Sequence, residues 1–424
     1  MSENLQRRAS AAPGPAAPRS RDPRPLPLDP SQVRVIHSDA EAIEVAQALA
    51  VEFASGAAER DRERRLPWDE LDHYTASGLG GIAVPKAYGG AGASFVTIAE
   101  VFRLLCAADP ALGQIPQNQF GVLFAVHELA SDEQKQRLYG RILAGERFGN
   151  AGPARGTASM LAQTTRLHRE DGSLRLSGTR FYSTGALFAH WIPSRAEDEQ
   201  GRTVLVFAPR HAEGVQVVDD WSGIGQRTTA SGTVHFAAVA IAPEDVLPAW
   251  QLIDRPGLSG PASQLIQAAI DAGIAQAAID DTLRFVRERS RPWTDFGGER
   301  ASDDPYIIQA VGRLQIDLHA ANEVLRETAA TLDRIAAAPV TAESSAEASL
   351  AIAAAKILTT EIALEASEKL FELAGTAATR SEHNLDRHWR NARTHTLHDP
   401  VRWKYHLLGN YALNGVLPKR HQWN

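Results

Sequence analysis

The chain predicts an α+β fold in which a helical segment, a compact antiparallel sheet and a set of longer helices follow one another. Three observations carry this. Apolar residues recur at three- and four-residue intervals up to about residue 147; strict alternation and turn pairs replace them from 148 to 248; helical spacing then returns over much longer runs. No alternating βα unit and no internal repeat occurs, so neither a doubly wound sheet nor a solenoid fits.

Residues 1–32 mix proline, arginine, alanine and serine, a composition that buries too little apolar surface to order itself. They read as a flexible tail, with a transit peptide as the competing reading. A helical domain follows over 33–147. "HSDAEAIEVAQALAVEFASG" opens with Ser38 and Glu41 at capping-box spacing, and "SDEQKQRLYGRILAG" repeats the device with Ser131 and Gln134 before stopping at Gly145. Between them, the glycines and proline of "GLGGIAVPKAYGGAG" read as loop. The β domain, 148–248, contains Asp171-Gly172, a two-residue hairpin signal, then the short strands "TVLVFAPR", "GVQVVDD" and "GTVHFAAVAI". From 249 to 424 three long alanine-rich helical runs predict an antiparallel bundle that also packs against partner subunits.

Composition narrows the function. The chain has 424 residues, 44% hydrophobic and 22% charged, with a net charge of -7, so it has no basic field for nucleic acid or anionic lipid. Its single cysteine, Cys106, excludes an internal disulfide and a thiolate metal site, and suits a reducing cytoplasm. No run of eighteen apolar residues suggests a membrane span. Small-molecule chemistry remains.

Four stretches then carry a family resemblance: "VPKAYGGAG" (84–92), "LSGTRFYSTGALFAHWI" (176–192), "GQRTTASGTVHFAAVAIAPEDVL" (225–247) and "ELAGTAATRSEHNLDRHWRNAR" (372–393). In this order they resemble the acyl-CoA dehydrogenase superfamily. "DDWSGIGQRTTASGT", "RPWTDFGGERASDDPY" and "RNARTHTLHDPVRWK" are similar to its flavin-dependent monooxygenase branch, the dibenzothiophene monooxygenase type, and within it to the sulfur-acquisition oxidoreductases labelled SfnB. The resemblance implies an acyl-CoA dehydrogenase-like homotetramer in the cytoplasm. It would take reduced FMN from a separate NAD(P)H flavin reductase and use O2 on a small organosulfur substrate. An FAD-dependent acyl-CoA dehydrogenase, an amine N-hydroxylase of the same fold and a non-catalytic flavin-binding scaffold are the alternatives.

Residue by residue, the family's dehydrogenase glutamate falls on Asp399, which is one methylene shorter and precedes Pro400, so reach and direction both change. His395 and His398 fill that region instead. Imidazoles can serve the oxygen side of a reduced flavin, His398 as the donor with His395 beside it. Two plainer readings of the pair are caps on backbone groups at a helix end and a metal site with Asp399; no further ligand cluster supports the metal. The resemblance places Tyr182, Ser183 and Thr184 of "TRFYSTG" along the flavin ring, with Asn150 on the neighbouring strand. Trp221, Arg227 and Asn118 fall to the substrate side. Arg289 and Arg291 stand where phosphate is held, and Phe371 replaces the glutamine that holds the adenosine half of FAD, which favours FMN.

Overall fold

A computed structural model describes residues 29–154, 163–421 and 424. Nearly all of the expected N-terminal tail lies outside the described residues; Pro30–Gln32 form a single 3-10 turn.

Seven helices come first: α1 (Asp39–Ala54), α2 (Ala57–Glu63), α3 (Trp68–Ala76), α4 (Phe95–Ala108), α5 (Pro110–Gln114), α6 (Gln117–Leu129) and α7 (Asp132–Leu143). Their starts follow local chemistry. Ser131 and Gln134 form the complete reciprocal capping box at α7. At α1 the Ser38 hydroxyl accepts from the Glu41 N–H, but the Glu41 carboxylate turns to the His37 N–H and to Arg34 instead of closing the box.

Seven strands follow: β1 (Arg166–Glu170), β2 (Ser173–Arg180), β3 (Trp191–Glu197), β4 (Thr203–Pro209), β5 (Val215–Val218), β6 (Thr233–Ile241) and β7 (Val246–Leu247). Asp171 and Gly172 both take positive φ, 50° and 79°, as a two-residue turn between antiparallel strands requires, and Glu170 pairs with Ser173. The sheet order is β5-β6-β2-β1-β3-β4-β7. It is not purely antiparallel, as the alternation suggested: β1 pairs with β3 in parallel through Arg166 and Glu197. The chain crosses from β2 to the far side of β1 before β3 begins, so β3 enters in the direction of β1. Phe148 and Ala151 add parallel bridges to Trp191 and Ser194.

The remaining helices are α8 (Gln251–Asp254), α9 (Ser259–Glu288), α10 (Pro305–Ala336), α11 (Ala342–Ala374), α12 (Asp386–His395) and α13 (Arg402–Asn414). α9 is the axis of the helical region, packing on α4, α10, α11 and α12. Its alanines, buried from Ala262 to Ala278, let the backbones approach closely. One apolar core runs from the first helices through the inner sheet face into this bundle, and a second fills the space between α6, α7 and strands β4 and β7.

Candidate active site

The histidine segment begins inside the bundle. α12 lies across the middle of α9 and α11, and its last residue, His395, is 0% exposed. Opposite it, α9 supplies Asp271 and α11 supplies Lys356, 0% and 1% exposed. His395 Nδ1 donates to Asp271 Oδ1 at 2.5 Å; Lys356 Nζ donates to Asp271 Oδ2 at 2.6 Å, and the Thr360 hydroxyl to the same oxygen at 3.0 Å.

Burial alone would raise the Asp271 carboxyl, but Lys356 and then His395 hold it well below the usual carboxylate range. A carboxylate paired with Lys356 fixes the Nδ1–H tautomer of His395. Its Nε2 lone pair is thereby left facing away from Asp271, buried and without a hydrogen-bond partner among the described residues. Burial, opposed by Asp271, keeps this imidazole neutral below its ordinary pKa.

His398 lies 4.8 Å from His395, ring centre to ring centre. Its Nδ1 donates to the His395 carbonyl at 2.6 Å, capping the end of α12, so its Nε2 accepts from Gln114 Nε2 at 3.0 Å. The donor role expected for His398 is corrected accordingly. Its only N–H is spent on the backbone, and its other nitrogen accepts from Gln114, so the neutral ring has no second N–H to give. The nitrogen without a partner belongs to His395. Asp399 is buried, its two oxygens accept no hydrogen bond, and its nearest cation is Lys404 Nζ at 3.6 Å. Among the described residues no three His, Cys, Asp or Glu side chains are placed to hold a metal ion.

Two loops of the β domain meet this segment. The Gly225 N–H donates to Thr394 Oγ1 at 3.1 Å and the Gln226 N–H to Asn391 Oδ1 at 2.6 Å, which clamps the loop before β6 onto α12. A Cβ on Gly225 would stand 1.9 Å from the Arg390 carbonyl, so only glycine permits the contact. Gly225→Ala is expected to separate loop from helix and weaken flavin binding at least tenfold, read by fluorescence titration, with Gly223→Ala, which meets only the Trp221 side chain, as the milder control.

The second loop, Tyr182 to Gly185, abuts Ile115 beside Gln114: a Cβ on Gly185 would lie 3.3 Å from the Ile115 carbonyl. Tyr182, Gln226 and Ala230 take positive φ of 57°, 51° and 47°, a conformation costly for residues with a side chain and concentrated here around one cleft. Tyr182 is 51% exposed and stands edge-on to Trp221, forming an open aromatic wall. The Ser183 hydroxyl is buried without a partner, whereas Thr184 joins Ser231 and Thr229 in a hydroxyl chain ending on the Gln226 carbonyl.

Thus the fold joins His395 and His398, through Gln114 and Ile115, to the loop of Tyr182, Ser183 and Thr184, and joins α12, through Gln226, to Trp221; Asp399 is buried beside Lys404. Asn150 shares the sheet face of Pro193 and Arg195, and Asn118 lies half-buried in the first turn of α6. Arg227 turns the other way, donating to the Arg62 carbonyl on α2. Arg289 and Arg291 are exposed beyond the end of α9, about 27 Å from Asp271 at 1.5 Å per residue, so within one chain they do not share its cleft. Sequence reasoning missed Asp271, Lys356, Gln114, Gln226 and Asn391. The first two had a signal, a lone charge inside an apolar alanine-rich run.

Orphaned buried polar atoms test the fit of a flavin. Ser183 Oγ, both side-chain polar atoms of Gln226, Gln114 Oε1 and His395 Nε2 lack partners among the described residues. A flat heterocycle with alternating donors and acceptors on its edge, stacked along Tyr182, matches such a set.

Burial dominates the lowered pKa of His388 and His395. A base whose folded pKa lies below its unfolded value binds fewer protons when folded. Stability is therefore complete above about pH 6.5 and falls as pH drops below it. His398 opens to water along the cleft, so buried His388 and His395 dominate the effect. The midpoint of thermal unfolding should fall steadily between pH 6.5 and 4.5, and His388→Asn should flatten that slope.

A helical entry, a mixed central sheet and a long-helix bundle meeting at one polar cleft define the flavin-binding class of acyl-CoA dehydrogenase folds. The acyl-CoA dehydrogenase N-terminal domain family matches residues 40–146, and the C-terminal domain family matches residues 265–403. The chain is 33% identical to a dibenzothiophene monooxygenase of Rhodococcus qingshengii over 411 residues, 93% of this chain and 99% of that one. It is 31% identical to a probable FMNH2-dependent monooxygenase, SfnC, of Pseudomonas putida, over 89% of this chain and 96% of that one. Two solved structures superpose on it. They are FMN-bound TdsC of Paenibacillus sp. A11-2 (TM-score 0.86, 33% identity, 90% and 100% covered) and the methanesulfinate monooxygenase MsuC of Pseudomonas fluorescens (TM-score 0.83, 30% identity, 90% and 99% covered). The chain belongs to the dibenzothiophene monooxygenase family of the acyl-CoA dehydrogenase superfamily.

Proposed function

We propose that the chain is a two-component flavin-dependent monooxygenase, taking reduced FMN from a separate NAD(P)H flavin reductase and oxygenating a small organosulfur compound with O2. The observation that carries the reading is His395. Asp271 and Lys356 orient a neutral imidazole whose second nitrogen is buried without a partner among the described residues, beside the His398 ring, while the residue in the dehydrogenase base position, Asp399, is short and faces Lys404. Relatives named as monooxygenases and an FMN-bound neighbour support it.

Reduced FMN, when bound, supplies the electrons that activate O2. The protein's residues do the rest. Ser183, Gln226 and Gln114, whose buried polar atoms lack partners among the described residues, would take the polar edge of the ring, and Tyr182 would lie along it. His395 Nε2 accepts or returns a proton on the oxygen side. Gln114 and the α12 carbonyl hold the His398 ring against His395, narrowing access for water.

FMN suits the chain better than FAD, since Phe371 packs beside an apolar cluster with Phe285 and Leu370 where adenosine would need a polar partner. Arg289 and Arg291 would then serve a flavin phosphate in a neighbouring copy. That, with exposed Tyr306, Ile308 and Ile316 on α10 and Trp403 and Leu413 on α13, favours a homotetramer. No helix among the described residues is long and apolar enough to cross a membrane, and a cytoplasmic site agrees with the buried lone thiol.

Anaerobic titration with reduced FMN and reduced FAD, followed by mixing with O2 and an organosulfur compound, tests the reading. Tighter binding of FMN and oxygen-dependent product are expected. Tight retention of FAD with anaerobic bleaching of the bound flavin by an acyl-CoA would replace it with the dehydrogenase reading.

A further inference from the structure

A cavity of about 610 Å³, including its mouth, lies between β3, the middle of α6, α8 and the start of α9. Its lining is apolar on one side, with Ala125, Leu252 and Ile253, and carries Arg195, Ser259, Ser263 and His421 on the other. Arg195 is the anomaly. It projects from the sheet face turned towards α6, and among the described residues its guanidinium meets no carboxylate and donates no hydrogen bond; burial lowers its pKa with no acid to oppose the effect. The acid at this helix start, Glu128, is committed elsewhere, accepting from the Leu258 and Ser259 N–H groups at 2.7 and 2.8 Å.

Arg195 is half-buried in the cavity wall, where a guanidinium gains from an anion beside it. The described residues provide none, yet provide space, five N–H donors and two hydroxyls one helical turn apart. The cavity also adjoins the reaction cleft. Gln117 Nε2 donates to Ser263 Oγ at 3.4 Å, one turn of chain from Gln114, which holds His398. His421, on the cavity wall, feels the charge of Asp399. Asn150 faces the same side as Arg195.

We infer that this cavity is an oxyanion subsite in which Arg195, with Ser259 and Ser263, holds the charged end of the substrate. The organosulfur compound is then an acid, a small sulfinate or sulfonate, and not a neutral sulfide. The inference rests on the monooxygenase reading for the word substrate, but the subsite itself can be tested without turnover.

The test is equilibrium titration of the protein loaded with oxidised FMN, using sodium methanesulfinate and neutral dimethyl sulfone, which differ in charge but little in shape. Wild type should bind the sulfinate saturably and the sulfone weakly. Arg195→Met should weaken the sulfinate about tenfold to hundredfold, the factor that charge-assisted hydrogen bonds carry, and leave FMN affinity unchanged. Arg195→Lys should recover most of the loss, which shows that charge and not folding is being read. Absence of saturable sulfinate binding by wild type, or equal binding by Arg195→Met, overturns the subsite. So does a loss of FMN affinity in that variant, since Arg195 would then be holding the flavin's phosphate. Wild type that binds sulfinate but never oxygenates any sulfur compound contradicts the monooxygenase reading and leaves the subsite standing; oxygenation of a neutral sulfide at equal rate by wild type and Arg195→Met does the reverse.

Discussion

Replacing His395 with alanine should lower product formed per O2 consumed by about 10²- to 10⁴-fold, the range that a positioned acid–base group contributes, while FMN binding changes little. The reduced flavin still reacts with O2 in such a variant, so oxygen uptake persists and hydrogen peroxide replaces product. His398→Ala should be milder. That residue offers no free N–H and acts by fixing Gln114 and shielding the cleft, so its loss should raise peroxide release by about tenfold or less, the effect of one neutral hydrogen bond. Measuring product and peroxide side by side in the two variants separates the roles. Equal effects, or a larger loss at His398, would transfer the proton-handling role from His395 to its neighbour.

The second large effect concerns the charges beneath His395. Lys356→Met leaves Asp271 buried with one neutral imidazole and one hydroxyl, and Asp271→Asn leaves Lys356 buried with no carboxylate. Breaking a buried pair from one side costs about 3–5 kcal/mol, because the surviving charge keeps its desolvation penalty. Urea unfolding should show that loss for either single variant. Lys356→Met also removes a positive charge that lowers the His395 pKa, so the acid limb of the pH–rate profile should move to higher pH. A purely structural role for Lys356 would lower stability and leave that limb in place. Losses below about 1 kcal/mol in both variants would mean that the pair is not buried as described.

Local chemistry made much of the fold readable. The Ser131–Gln134 box and the Asp171-Gly172 turn fix their own geometry within a few residues, so their sequence is their structure. The parallel pairing of β1 with β3 was not readable, because it depends on where a crossover lands and not on alternation. In the site, His395, His398 and Asp399 are adjacent in sequence and drew notice together. Asp271 and Lys356 stand 85 positions apart on separate helices and meet only in the packed bundle, although "AAIDAGIA" and "AIAAAKIL" each mark a charge on a face that must be buried. Gln114, the last residue of the five-residue α5, and Gln226, in a loop, carried no signal, since neither sits in a run long enough to show a periodicity. Arg289 and Arg291 were grouped with the flavin on motif order alone, and the length of α9 separates them from it within one chain.

On this reading the protein transfers one atom of dioxygen to an organosulfur compound and releases the other as water, with reduced FMN supplying the two electrons. Mass spectrometry of the product formed under ¹⁸O₂, with reduced FMN supplied by a flavin reductase, tests it most directly. One ¹⁸O per product molecule is predicted. Product whose added oxygen comes from water, or an acyl-CoA desaturated with no oxygen incorporated, would contradict it.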